Sequence, residues 1–140
     1  MTRINASIKP IQLIDQHLLA EIRELPRILN TIKSGKAKVE NKTDVFKLGS
    51  NHTTFFYGRL KYLVDRHKDL VNEAVFRRFN ILDYTESYKD LPQHLLNDWK
   101  PSNEVKLILT ARITERLQGM KNIKYNREPI TVEEAIKKLG

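Results

Sequence analysis

Residues 14–33 read IDQHLLAEIRELPRILNTIK, and apolar side chains recur in this stretch at intervals of three and four residues. Positions with that spacing fall on one face of an α-helix. The apolar positions are Ile14, Leu18, Ile22, Leu25, Ile28, Leu29 and Ile32. The stretch therefore predicts a first helix from Asp15 to Lys33 that lays one stripe of side chains against a core.

A second long helix is predicted downstream, after an exposed, lysine-rich loop at residues 34–48. The GSNH segment at residues 49–52 supplies start signals, and apolar periodicity continues to about Arg78. The basic side chains predicted on its outer surface are Arg59, Lys61, Arg66, Lys68, Arg77 and Arg78. Residues 80–102 contain prolines and turn formers, so they are predicted to form an irregular connection.

The last third of the chain predicts two further helices. One runs from Asn103 to Gln118 and ends at Gly119. A short terminal helix follows a Thr-x-x-Glu capping box that begins at Thr131. No segment alternates convincingly between apolar and polar residues, as a strand would. We therefore predict an all-α fold, a single compact domain of three principal helices with irregular connections and a short C-terminal helix.

Composition narrows the classes of function. The chain has 25 Lys and Arg against 17 Asp and Glu, a net charge of +8, which favours a polyanionic partner such as nucleic acid. It has no cysteine and no apolar run of the roughly 18 residues that a membrane span needs. The first segment lacks a secretory signal. We expect a cytoplasmic protein without membrane association, nucleoid-associated or in the host cytoplasm if the source is viral.

Metal and cofactor binding are not expected. The four histidines are His17, His52, His67 and His94. None of them shows the close spacing to another ligand that is typical of a metal site.

Glu24 lies between two arginines, at the border between the apolar stripe and a basic face that carries Arg23 and Arg27. An exposed ion pair between Glu24 and Arg27, worth a few tenths of a kcal/mol, would explain this arrangement structurally. Pro26 fits a regular surface helix poorly, because it has no N–H to donate to the Ile22 carbonyl. A kink is therefore expected close to the carboxylate.

The N-terminus carries a second candidate group. Initiator methionine is normally removed before a residue as small as threonine, which leaves Thr2 with a free α-amine. The reference pKa of such an amine is about 7.7–8.0, so a fraction is neutral near pH 7 and can attack a sugar or carbonyl carbon to form an imine. Many proteins begin Met-Thr without using this amine, so the residues alone leave both interpretations open.

Several blocks of sequence together resemble one known family, the small pyrimidine-dimer DNA glycosylase/AP lyases of the phage endonuclease V type. The blocks are MTRIN (1–5), DQHLLAEIRELPR (15–27), HTTFFYGRLKYL (52–63), FNILDYT (79–85), LP (91–92) and ARITERL (111–117). They occur in order, and the second is nearly complete. The resemblance implies one glycosylase/lyase domain over residues 1–140.

The resemblance also implies roles for individual residues. Thr2 would be the catalytic nucleophile, whose α-amine attacks sugar C1′. Glu24 would be the catalytic carboxylate, which stabilises the cationic sugar and assists β-elimination. The implied DNA-binding residues are Arg3, Gln16, His17, Arg23, Arg27, Thr85, Arg112 and Arg116.

The function implied by the resemblance is DNA repair. The enzyme would excise cyclobutane pyrimidine dimers through an imine and then cleave the strand at the abasic site. Its partner would be double-stranded DNA containing dimers or abasic sites, and it would act as a monomer without a cofactor. Two alternatives stay open: an AP lyase or glycosylase with altered lesion specificity, and a non-catalytic basic DNA-binding protein.

Two departures from the type member bear on lesion preference. A terminal aromatic cluster is replaced by NIKYNREPI at residues 122–130, in which only Tyr125 is retained. His67 replaces a glutamine that contacts DNA.

Overall fold

Helices dominate the computed structural model, which describes residues 3–39, 45–49 and 52–140. In chain order its elements are α1 (Asp15–Lys33), α2 (His52–Phe55), α3 (Leu60–Phe76), α4 (Asn103–Gln118), β1 (Lys124–Tyr125), β2 (Glu128–Pro129) and α5 (Val132–Leu139). Short 3-10 turns lie at Pro10–Gln12, Thr85–Tyr88 and Gln93–Leu95. The predicted all-α fold is confirmed, with one two-stranded hairpin added near the C-terminus.

The core lies between α1 and α3, with α4 and α5 packed at its side. All seven residues of the apolar stripe on α1 are buried. Across from them α3 contributes Leu60, Leu63, Leu70 and Ala74. The predicted ends of α4 are confirmed, since Ser102 caps its first turn and Gly119 follows its last residue. The capping box at Thr131 is also confirmed, because its side chain and that of Glu134 exchange hydrogen bonds with each other's backbone.

The prediction of one continuous second helix was wrong. The chain forms α2, breaks at residues 56–59 and starts again as α3. Phe55 and Phe56 are both buried, and both rings lie edge-on to Trp99 at centroid distances of 5.0 and 5.8 Å. Adjacent residues of a regular helix point about 100° apart. The break lets both rings enter one aromatic cluster.

The basic outer surface predicted for α3 also needs correction. Arg66 and Arg77 are only 6% and 1% exposed. Arg66 donates to the carbonyl oxygens of Ala6 and Ile8, at 3.1 and 2.9 Å. Arg77 donates to the Leu13 carbonyl oxygen at 2.8 Å. These two guanidinium groups attach the N-terminal segment to α3. The spacing of apolar residues along α3 cannot predict such contacts, because the partners lie about 60 residues away in the sequence.

The C-terminal hairpin is attached to the first turn of α1. Its strands are antiparallel, and the two turn residues, Asn126 and Arg127, both have positive φ. Their backbone N–H groups donate to the Asp15 carboxylate at 2.9 and 2.7 Å. Gln16 is hydrogen-bonded to the backbone of Asn122 and Lys124, at 2.8 and 3.2 Å. Asp15 and Gln16 therefore hold the hairpin from its turn and from its first strand.

Among the described residues, no helix is long and apolar enough to cross a membrane.

Candidate active site

Glu24 lies where the helical periodicity places it, at the edge of the buried face of α1. Arg23 and Arg27 are exposed, Leu25 and Pro26 are buried, and Glu24 is half-buried. No other described residue forms a hydrogen bond or an ion pair with the Glu24 carboxylate. The exposed pair with Arg27 that would have explained the sequence structurally is therefore not formed, and the carboxylate is available to a ligand.

Helix α1 continues through Pro26 to Lys33. Proline cannot donate to the Ile22 carbonyl, but His67 of α3 approaches this oxygen with Nε2 at 2.9 Å. His67 is fully buried, so the DNA contact made by the glutamine it replaces in the type member does not transfer to it. The side chain instead supplies a hydrogen bond that the helix lacks.

The N-terminal segment is held in place directly after the predicted nucleophile. Thr2 itself lies outside the described residues. The Ile4 N–H donates to Nε2 of His52 at 2.9 Å, and Asn5 donates its side-chain amide to Glu21 at 3.1 Å. Tyr62 donates its hydroxyl to the Ala6 carbonyl. These buried contacts hold residues 4–6 against α1, α2 and α3.

Glu21 anchors this arrangement from α1. It is 1% exposed and accepts two hydrogen bonds from Arg66, that from Nη2 at 3.0 Å. Sequence reasoning missed it, although a signal was present: position 21 falls inside the apolar stripe, three residues after Leu18. A carboxylate at such a position needs a buried partner.

Three of the predicted DNA-binding residues, Arg3, His17 and Arg112, lie close together beside Glu21. Burial lowers the pKa of His17, and nearby Glu21 raises it, while Arg112 and Arg3 lower it further. Burial also lowers the pKa of Arg112, as does the charge of Arg3. Arg112 donates to the Asn5 side-chain oxygen at 3.0 Å. Segments far apart in the sequence thus form one cationic cluster next to the N-terminus.

Two polar atoms of this cluster are buried without a partner. Nδ1 of His17 and Nε of Arg112 have no hydrogen bond within the part of the chain that the structure describes. Most buried polar atoms in native proteins have a hydrogen-bond partner, so these two atoms are exceptions. The charges of Arg3 and Arg112 suit the cluster to an anionic ligand.

The family model for pyrimidine dimer DNA glycosylases matches residues 1–87. The chain belongs to this family. The match contains the whole of α1, the held N-terminal segment, and α3 with His67. Family membership supports a DNA glycosylase that acts on pyrimidine dimers.

Three further residues of this glycosylase were predicted to bind DNA: Arg116, Gln16 and Thr85. Arg116 is exposed on α4, one turn beyond Arg112. Gln16 uses both ends of its amide to hold the hairpin. Thr85 is exposed, and its hydroxyl donates to Asp83 at 2.7 Å. The described residues contain no group of three or more acidic or histidine side chains that could hold a metal ion.

Proposed function

We propose that this glycosylase excises cyclobutane pyrimidine dimers through an imine and then cleaves the strand at the abasic site. The Thr2 α-amine attacks C1′, and the bond from C1′ to the base breaks as the base leaves with the electron pair. The sugar ring opens and an imine links C1′ to Thr2. Removal of a C2′ proton, assisted by Glu24, expels the 3′ phosphate, and water then releases the enzyme.

The observation that carries this proposal is the attachment of the segment that follows Thr2. Thr2 itself lies outside the described residues, and Ile4 follows it by two positions in the sequence. Ile4 is hydrogen-bonded to His52, and the next residue contacts Glu21. Glu24 lies only about 4.5 Å further along the axis of α1 than Glu21. The segment that follows Thr2 is therefore held in the neighbourhood of Glu24.

The charges around this neighbourhood suit a DNA strand. Arg23 and Arg27 flank Glu24 on the exposed face of α1, and guanidinium groups match phosphate oxygens in shape and charge. Arg3 and Arg112 supply a second group of cations beside His17, and we assign Arg116 to the flanking backbone. Gln16 and Thr85 already form hydrogen bonds within the protein, so to bind DNA each would have to replace those bonds with bonds to the DNA.

One observation favours the alternative of an altered lesion preference. Tyr125, the retained aromatic residue of the terminal stretch, donates its hydroxyl to the Ile11 carbonyl at 2.6 Å. Its ring lies between Arg77 and Lys138, at 4.2 and 3.9 Å. A ring used in this way is not free to stack on a lesion, so the surface that would distinguish a dimer from another lesion differs here from that of the type member.

Borohydride trapping tests the mechanism and the lesion together. Ultraviolet-irradiated, oxidised and abasic duplexes are incubated with the enzyme and borohydride, and peptide mapping locates the link. We expect a covalent complex through Thr2 with at least the abasic duplex. Absence of a trapped species with all three substrates would contradict the imine, and trapping with abasic DNA alone would identify a lyase without dimer excision.

Two variants assign the roles of the amine and the carboxylate. Glu24→Gln should abolish strand cleavage and leave DNA affinity largely intact, whereas Glu133→Gln, a matched change on the exposed face of α5, should alter neither. One extra residue before Thr2 should abolish trapping by displacing the amine. Full activity of the extended protein would refute the assignment. A non-catalytic DNA-binding protein would bind DNA without cleaving it, whichever of the two groups was changed.

A further inference from the structure

The turn of α1 that carries Glu24 is held by a hydrogen bond from outside the helix. Within a regular α-helix, the N–H of residue 26 would donate to the carbonyl of residue 22. Pro26 has no N–H, and Ile22 is 2% exposed, so water has little access to its carbonyl. An unsatisfied buried carbonyl costs about 1–3 kcal/mol. The oxygen needs a donor from another element.

His67 of α3 is that donor. A carbonyl oxygen can only accept, so Nε2 of His67, 2.9 Å away, carries the proton. Nδ1 then accepts from the Tyr88 hydroxyl. The imidazole also lies edge-on to the Tyr84 ring at a centroid distance of 4.9 Å. Tyr88 in the 3-10 turn at Thr85–Tyr88, and Tyr84 immediately before that turn, thus fix the orientation of the imidazole.

This arrangement changes what determines the position of Glu24. With an ordinary residue at position 26, the turn would satisfy its own carbonyl and would be located by apolar packing alone. With proline there, a directional bond from α3 locates the turn. Helix α3 also holds the opposite half of the site, because Tyr62 and Arg66 bind the Ala6 carbonyl. Helix α3 is therefore a common reference for both halves.

We propose that His67 is a positioning residue, which replaces the missing N–H of Pro26 and thereby sets the position of Glu24 relative to the N-terminal segment. This inference rests on the proposed role of Glu24. Displacement of a reacting group by about 1 Å lowers a rate by about 100-fold. Loss of the His67 donor should therefore lower the rate of strand cleavage more than the affinity for DNA, since long arginine side chains adapt to a small shift.

Two substitutions at His67 separate the donor from the side-chain volume. His67→Leu fills the space without a donor, and His67→Gln places an amide N–H close to the position of Nε2. We expect the leucine variant to cleave an abasic duplex about 10- to 100-fold more slowly in single turnover, with a Kd for DNA within about 3-fold of the wild-type value. The glutamine variant should recover most of the rate.

A third variant restores the bond from within the helix. Pro26→Ala supplies the N–H that proline lacks, so the double variant Pro26→Ala with His67→Leu should recover both cleavage rate and melting temperature relative to His67→Leu. Leu70→Ala, which weakens the core through α3 without touching this bond, is the control: it should lower the melting temperature and keep the single-turnover rate.

Two results would overturn the inference: an unchanged cleavage rate in His67→Leu, or a loss of rate that neither Pro26→Ala nor His67→Gln repairs. Failure of the proposed function gives a different pattern. The wild-type enzyme would then not be trapped and Glu24→Gln would keep its activity, whatever the melting temperatures of the His67 variants.

Discussion

Replacing Arg66 by methionine breaks the buried ion pair with Glu21. The carboxylate, 1% exposed, keeps only the Asn5 amide at 3.1 Å among the donors that the described residues provide. The Ile8 carbonyl loses a donor at 2.9 Å, whereas the Ala6 carbonyl keeps the hydroxyl of Tyr62. Removing one partner of a buried pair costs about 3–5 kcal/mol. Because a whole domain is stable by only about 5–15 kcal/mol, this single change takes a large share of the total.

Urea unfolding followed by tryptophan fluorescence measures this loss, since the chain has one tryptophan and Trp99 lies in the aromatic cluster. With a slope of about 2 kcal/mol per M, the midpoint should fall by about 1.5–2.5 M. The double variant Glu21→Met with Arg66→Met should recover much of the loss, because an apolar pair avoids the cost of desolvating two charges.

Lys61→Met is the matched control for the Arg66 variant. It breaks the ion pair of Lys61 with Asp65, which is exposed on the same helix, and should leave the midpoint unchanged. A loss below about 1 kcal/mol in Arg66→Met, or a double variant no more stable than the single one, would refute the reasoning.

Three further predictions follow from other contacts. Burial lowers the pKa of His52, so just below the ordinary histidine pKa of 6.5 the folded protein binds fewer protons than the unfolded chain. Stability should therefore be complete above about pH 6.5 and fall as the pH drops below it, and His52→Gln should reduce this fall in the urea midpoint. Asp15→Ala should lower the free energy of unfolding by about 3–5 kcal/mol, because it also breaks the buried ion pair with Arg77 at 2.9 Å. It should accelerate amide exchange at the hairpin turn, and unchanged exchange there would show that the carboxylate does not hold that turn. Arg23→Gln and Arg27→Gln should each reduce the slope of log affinity for DNA against log salt by about 1, and an unchanged slope would show that neither arginine contacts phosphate.

The sequence predicted those parts of the fold whose signals are local. The ends of α1 and α4 follow from apolar periodicity and from the residues that flank each helix, and the terminal helix follows from its capping box. The break between α2 and α3 has no such signal, because it depends on rings that pack from distant segments. Trp99 lies more than forty positions from Phe55 in the sequence, yet their rings are 5.0 Å apart.

For the candidate site, sequence reasoning found the exposed groups and missed the buried ones that hold them. Arginines and a carboxylate beside a proline stand out in α1, and the resemblance assigned them roles. His52 and Arg66 gave no signal of their own, since their partners lie 48 and 45 residues away. Glu21 could have been found as a charge inside an apolar stripe. Pro26 predicted that the helix would lack its own bond to the Ile22 carbonyl, but the sequence could not show which side chain would replace that bond.

The attachment of the hairpin has a consequence for protein engineering. Asp15 and Gln16 belong to the region that the family shares, whereas the hairpin they hold lies beyond residue 87, where the family match ends. Both side chains bind backbone atoms of the hairpin, so these two attachments do not depend on which side chains the hairpin carries. A different loop with the same turn geometry and a tyrosine at position 125 can therefore be grafted between Gly119 and Thr131. The exposed side chains of this segment could then be changed while its attachment to α1 is kept.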